Sequence, residues 1–365
     1  MVLGSITEKL RKFDWVLFGA VFLLLVLGFT ALYSVSLGQE PLDFSNLKKQ
    51  IIFALVGILV LFVATFFNYS AYRMYSRYLY LVSIFLLVAV LLFGSTVRGT
   101  TGWLSVFGFR FQPVELVKIA LILFLARFFA HRYQQFQEVR HIVVSVVGTI
   151  ILVILVLMQP DTGSAAVLFG IWLIVLILSG IRLRYLMIMG LILGIILTSL
   201  WGGALKDYQK DRVMTFLDPS LDPLGSGYNV TQAIIAVGSG GLMGRGLGFG
   251  SQSQLKFIPE SQTDFVFAVV AEELGFLGVA LMLSLWILIF YRLIKAAKRA
   301  RDDFGMYMIL GVTAMLFIHL IVNVGMNMGM LPVTGISLPF MSSGGSFLLT
   351  CLFVIGMVES VVVHT

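Results

Sequence analysis

A bundle of about ten membrane-spanning α-helices is the fold class the sequence predicts, and three observations predict it. Apolar residues make up 59% of the 365 positions and charged residues only 12%, with a mean hydropathy of +1.01. A water-soluble domain of this length cannot hide so much apolar surface, so lipid is the solvent for most of the chain. The apolar runs are roughly 16 to 23 residues long and lack period-2 alternation, which favours helices over barrel strands. Basic residues also sort by loop, as membrane topology demands.

The runs fall at 15–34, 50–67, 78–93, 113–129, 142–158, 165–179, 185–201, 265–290, 307–330 and 339–363. In lipid their backbone groups have no partner but each other, so each is expected to be helical. The third and sixth are short and need tilt compensation or a thinned bilayer. The first follows Lys9, Arg11 and Lys12 and lacks an A-x-A cleavage site, so it reads as an uncleaved anchor. The whole chain, 1–365, is expected to be one polytopic domain in the cytoplasmic membrane.

With the N-terminus inside, the cytoplasmic segments hold Lys9, Arg11, Lys12, Arg73, Arg77, Arg127, Arg132, Arg140, Arg182, Arg184, Arg292, Lys295, Lys298, Arg299 and Arg301. The short outer loops hold only Lys48, Lys49, Arg98 and Arg110. That asymmetry puts both termini in the cytoplasm. It also accounts for most of the net charge of +7 without a nucleic-acid partner. Cys351 is the only cysteine, so no intrachain disulfide or cysteine metal cluster is expected. The four histidines show no metal-ligand spacing. Walker A, HExxH and GxSxG patterns are absent.

The remaining polar residues gather in four clusters, all on the expected outer side. The largest lies in the connection 202–263, too long for an idle loop. Within it, YNVTQAIIAV (228–237) suits a short interfacial or re-entrant helix. GSGGLMGRGLGFGSQS (238–253) follows, and its glycines permit close backbone approach to a ligand or simply a flexible surface loop. The connection runs into FIPESQTDFVFAVVAEELG (257–275), where Asp264 stands at the outer end of the eighth span, suited to a helix cap or to catalysis. Glu272 and Glu273 follow roughly 12 Å deeper, at ~1.5 Å per residue. Carboxylates at that depth face a protein interior or a water-filled cavity. Glu273 is expected to pair structurally with a cation on another helix. The second cluster is WLSVFGFRFQPVELVK (103–118), in which Glu115 and Lys118 share a helix face and can pair. QPDTGSA (159–165) supplies Asp161, and NVGMNMGMLPVTGISLPFMSSGGS (323–346) supplies Ser343.

Outside the plasma membrane no nucleotide is supplied, so a transferase there needs a donor activated beforehand and delivered in the lipid. A polyprenyl-pyrophosphate sugar meets that need. Its leaving pyrophosphate calls for cations, and Arg110, Lys118, Arg212 and Arg245 are the outer-side candidates. The acceptor hydroxyl needs a general base, and Asp264 is the best-placed carboxylate. Glu115, Asp161, Ser251, Glu272 and Ser343 complete the candidate substrate-binding set. No D-x-D motif is present, in keeping with a lipid-linked donor. A divalent cation, Mg or Mn, is the one cofactor such a pyrophosphate invites; no organic cofactor is expected.

The strings FRFQPVELVK, MQPDTGSA, RVMTFLDPSLDPLGSGYNVTQAIIAVGSGGLMGRGLGFGSQSQLKFIPESQTDFVFAVVAEELGFLG and GMLPVTGISLPFMSSGGS carry a resemblance in order and spacing. Along essentially its whole length the chain resembles the SEDS polymerases of peptidoglycan, the RodA/FtsW family, and looks more like the elongation branch. The resemblance implies inverting glycosyl transfer between lipid II molecules (undecaprenyl-pyrophosphate disaccharide-pentapeptide). The product would be β-1,4 glycan, made at the outer face. It assigns the family's catalytic Asp to Asp264 and its fourth-helix Glu and Lys to Glu115 and Lys118. It implies as partners a class B penicillin-binding protein transpeptidase and other elongation-complex membrane proteins. Two positions depart from the family pattern. QPVE (112–115) stands for the usual Q-P-S-E and loses a hydroxyl, and SSGG (342–345) stands for S-Y-G-G and loses an aromatic.

Two rival readings are a flippase for lipid-linked precursor and a non-catalytic scaffold for a transpeptidase. A flippase should place polar residues at mid-bilayer and on both sides, whereas here they lie mainly outside. A scaffold has no need of buried Glu115, Lys118 and Glu272.

Overall fold

Where lipid offers no partners, short polar side chains start the helices. After an amphipathic α1 (Val2–Lys12), Asp14 opens α2 (Trp15–Leu37): its Oδ1 accepts the amides of Val16 and Leu17 at 3.2 and 3.1 Å. Those N–H groups would otherwise be orphaned in the first turn. α3 (Ser45–Phe66) is followed after two residues by α4 (Tyr69–Phe93), which Asn68 opens through the amide of Ser70. In this computed structural model the described residues are 2–38, 41–97, 100–106, 109–130, 139–203, 207–218, 221–222 and 225–365.

The chain continues through α5 (Val114–Ala130), α6 (Val139–Leu157), α7 (Thr162–Leu178), α8 (Leu183–Gly203), α9 (Asp207–Leu217), α10 (Ser226–Ser239), α11 (Ser251–Gln254), α12 (Val266–Arg299), α13 (Asp303–Asn327) and α14 (Gly345–His364). Each of the apolar runs is thus a helix. Six of them (α2, α3, α4, α12, α13 and α14) are long and apolar enough to cross a membrane; α6, α7 and α8 contain shorter apolar stretches. The fold is that of a multi-pass membrane protein. α5, α13 and α14 form its buried centre, with α3 lying along α14, α4 and α13 against α5, and α7 against α13. The periphery keeps its apolar side chains bare: Phe85 is 71% and Phe93 79% exposed. Apolar surface on that scale belongs against lipid.

Several expectations need correction. The architecture is not purely helical: β1 (Ser95–Val97), β2 (Thr100–Val106) and β3 (Phe109–Phe111) form an antiparallel meander between α4 and α5. Leu104 pairs with Phe111 and Val106 with Phe109; β-branched and aromatic residues suit such a pleat. α4 starts at Tyr69 rather than near residue 78, because Asn68 caps it and Arg73 and Arg77 can extend from a helix end. α14 starts at Gly345, since 339–344 form a turn that closes the site.

The largest correction concerns α12. It is not one rod: Gly275 has φ +63° and ψ −161°, a conformation glycine adopts at little cost. The break exposes carbonyls and amides that a helix would pair internally. The glycine-rich run fills the gap, for Arg245 N and Gly246 N donate to the carbonyls of Glu272 and Glu273, both at 3.0 Å. In return Phe276 N and Leu277 N donate to Gly241 and Leu242, at 2.9 and 3.1 Å. Two carbonyls and two amides at the kink thus find partners in the loop, as burial requires. A Cβ on Gly275 would sit 2.2 Å from Gly244 N. The close approach that the glycines allow is therefore to the protein's own helix.

Candidate active site

The first half of α12 presents Asp264 just before its cap position, Phe265. Helix α13 and the turn that precedes α14 fix that presentation. Asn323 and Asn327 of α13 each donate Nδ2 to the Asp264 carbonyl at 2.9 Å, and Asn327 Oδ1 accepts the amide of Ala268 at 3.1 Å. Ser342 Oγ donates to Thr263 O at 2.6 Å and accepts from Leu338 N, while Ser343 N donates to Gln262 O at 2.8 Å. Gln50 of α3 clamps the same turn through Ser342 O and Gly344 N. The Asp264 side chain, half-buried, faces a cavity of about 310 Å³.

Five of the residues singled out in the sequence line that cavity: Asp264, Glu115, Lys118, Asp161 and Ser343. Lys118 Nζ lies 2.9 Å from Glu115 Oε1, with both side chains almost fully buried. Its second partner is His319 Nε2 at 3.2 Å, and it stands 5.0 Å from the centre of the Phe347 ring. His319 stacks on the same ring and approaches Ser337 O through Nδ1 at 3.1 Å. If Nδ1 carries the proton, Nε2 is left as an acceptor for the ammonium. Glu115 Oε2 is buried with no protein partner. Asp161 caps α7, taking the amide and hydroxyl of Ser164 at 2.9 and 2.7 Å, with Gln112 Nε2 at 3.4 Å.

Three other candidates lie elsewhere. Glu272 is fully buried and accepts the amides of Gln252 and Ser253 at 2.8 and 3.0 Å. It fastens α11 to α12 and is kept from the cavity. Arg245 and Ser251 contact each other at 3.4 Å on the outside of the glycine-rich loop. Glu273, expected to pair with a cation, instead accepts hydrogen bonds on Oε1 from the neutral side chains of Ser34, Ser253 and Gln254. Arg110 is in β3 and Arg212 in α9; their side chains lie outside the described residues.

Beside the cavity, and sharing Trp103 and Ser346 with it, runs an apolar groove of about 770 Å³ walled by Phe53, Phe111, Leu349 and Phe353. A polar chamber that opens onto an apolar groove suits an amphiphile with a polar head.

A family model described as "Cell cycle protein", covering FtsW, RodA and SpoVE, matches residues 14–365. The chain belongs to the FtsW/RodA/SpoVE family. The peptidoglycan glycosyltransferase MrdB of Escherichia coli is 39% identical over 341 residues, covering 93% of this chain and 91% of that one. The stage V sporulation protein E of Bacillus subtilis is 36% identical over 369 residues, covering 97% and 98%. Among solved structures, a chain from a peptidoglycan synthase complex that coordinates polymerization and crosslinking superposes with a TM-score of 0.83, at 32% identity and 96% and 97% coverage. The rod shape determining protein RodA of Thermus thermophilus gives 0.71, at 28% identity and 96% coverage of both chains.

Within this family the two departures have visible consequences. Val114 is core at the start of α5, so no hydroxyl reaches the cavity there. Ser343 stands where the usual aromatic would, and a small side chain lines the wall. Reading the sequence missed His319, Asn323, Asn327 and the cavity wall from Gln112 and Trp103. A histidine in the middle of an apolar span was the available signal; its partners Lys118 and Ser337 are on other segments.

Proposed function

We propose that this glycosyltransferase polymerises lipid II into β-1,4 glycan at the outer face of the cytoplasmic membrane during cell elongation, with Asp264 as general base. The observation that carries the reading is one cavity that brings Asp264 together with the Glu115–Lys118–His319 cluster and opens onto an apolar groove. The acceptor's 4-hydroxyl gives its proton to the Asp264 carboxylate as its oxygen attacks the donor's anomeric carbon. The bond from that carbon to the pyrophosphate breaks, and inversion gives the β linkage. Lys118 supplies positive charge on the pyrophosphate side, and the groove takes the polyprenyl chain. Asp161 and Ser343 contact the sugars.

A divalent cation, Mg or Mn, fits in the form magnesium takes at phosphates, held by one or two carboxylates and the substrate's own oxygens. Among the described residues no group of three or more ligating side chains occurs, so a cavity carboxylate would supply one or two ligands and the substrate's own oxygens the rest. The cation would stabilise the departing pyrophosphate. The ten apolar helices cross the membrane with both termini cytoplasmic, and a class B penicillin-binding protein cross-links the product.

Purified protein given lipid II should form glycan, assayed with and without that partner; no glycan under either condition defeats the proposal. Sidedness has its own test. Cysteines at Asp161, Ser251 and Ser337, in a Cys351→Ala background, should react with an impermeant thiol reagent on intact spheroplasts. Labelling at Arg77 or Lys298 positions, and none at the first three, would reverse the topology.

A further inference from the structure

The end of the bundle opposite Asp264 holds a second cavity, of about 560 Å³, between the α1–α2 junction, the last turns of α12 and the end of α14. Lys12, Arg292, Lys295 and Arg299 converge on it from two distant parts of the chain. One carboxylate in its wall, Asp14, is already committed: it caps α2 and holds Arg292 at 2.6 Å. Among the described residues Lys12, Lys295 and Arg299 have no ion pair. Lys295 Nζ meets only the Tyr291 ring, 6.0 Å from its centre, and three cations without an ion pair around a single cavity repel one another unless an anion joins them.

The surroundings say which kind of anion. Val16 and Ala296 give the cavity apolar walls. Trp15 stands 53% exposed at its rim, its Nε1 donating to Leu10 O at 3.1 Å. Tryptophan with an apolar body and a polar edge marks the level of lipid headgroups. The amphipathic α1, with Lys9, Arg11 and Lys12 in its last turn, ends at the same place, and such a helix lies in the plane of the interface. We infer that this cavity binds the headgroup of an anionic glycerophospholipid from the leaflet at that end, phosphate toward Lys12, Lys295 and Arg299 and acyl chains along the apolar wall.

A general excess of positive charge at this end does not explain the arrangement. A neighbouring cavity at the same end has Arg73, Arg77 and Arg127. There Arg73 pairs with Asp302 at 3.5 Å, and Arg127 donates to the carbonyls of Arg73 and Met74. Two of those three arginines are used by the protein itself, which makes Arg77 a matched control.

The test is native mass spectrometry of the purified full chain in detergent, titrated with phosphatidylglycerol or phosphatidylcholine. The wild type should bind one phosphatidylglycerol about tenfold more tightly than phosphatidylcholine, and Lys12→Gln/Lys295→Gln/Arg299→Gln should lose that preference. All three side chains reach solvent, so the variant should stay folded and monodisperse. Arg77→Gln should keep the preference to within about twofold. Equal affinity for the two lipids in the wild type, or an equal loss in Arg77→Gln, overturns the inference. Displacement of phosphatidylglycerol by millimolar inorganic phosphate also overturns it, in favour of a free-anion site.

Discussion

Two groups of carboxylates, Glu272 and Glu273 in α12 and Asp264 with Glu115 at the cavity, are finished differently. Glu272 has a backbone amide on each oxygen, and Glu273 Oε1 accepts from three side chains, although Glu273 Oε2, like Glu115 Oε2, has no hydrogen-bond partner among the described residues. The 252–254 segment supplies all of these donors but one, Ser34, which comes from α2. At the cavity, Asp264 is held through its backbone carbonyl by Asn323 and Asn327 while its side chain lines the chamber, and Glu115 is paired on Oε1 with Lys118. A carboxylate that fastens a fold is bonded through its oxygens. Asp264, the general base we propose, is positioned through its backbone carbonyl.

The strongest way to break this comparison is Asp264→Asn. We expect polymerisation to fall by about 10²–10⁴-fold, as for a lost general base, with thermal stability in detergent unchanged. Near-normal turnover in that variant would reduce Asp264 to a helix-start residue.

Lys118→Met comes next. It strands Glu115 in a buried place, and removing one partner of such a pair costs about 3–5 kcal/mol. The double variant Lys118→Met/Glu115→Gln should regain the melting temperature but not the activity. Full activity in the double variant would take Lys118 out of the site.

Gly275→Ala should destabilise by about 1–3 kcal/mol from backbone strain alone, and by more if the loop is pushed out by the added carbon. A melting temperature equal to wild type would mean that the break does not depend on glycine.

The mildest effect sharpens the contrast. Glu272→Gln weakens two charge-assisted bonds, each worth about 1.5–3 kcal/mol at most, and should lower stability while leaving turnover per folded molecule intact. A loss of turnover comparable to Asp264→Asn, with no change in melting, would erase the distinction between the two regions.

The sequence made the helices readable because lipid imposes one solution on every apolar run. Asp264 and the Glu115–Lys118 pair were readable for a related reason, since charges are conspicuous where they are expensive. What stayed hidden depends on segments that meet only in three dimensions. His319 is a lone ring in an apolar stretch until α5 and the 331–337 turn are brought beside it. AEELGFLG reads as uninterrupted helix, and nothing local says that 241–246 will occupy a gap in it. Glu272 looked like a site residue because depth and charge do not reveal who donates to the oxygens. The small meander before α5 was overlooked because its strands are short and its aromatic content resembles that of the flanking helices.

The cut in α12 also bears on how the chain is made. Residues 266–274 reach only about 14 Å at ~1.5 Å per residue, under half of a hydrocarbon layer of about 30 Å. A piece that short cannot enter the bilayer as a span of its own. Its open end needs the glycine loop, which leaves the ribosome earlier, and its start is held by Asn323 and Asn327, which leave later. During biogenesis Asp264 therefore reaches its place only after α13 has arrived.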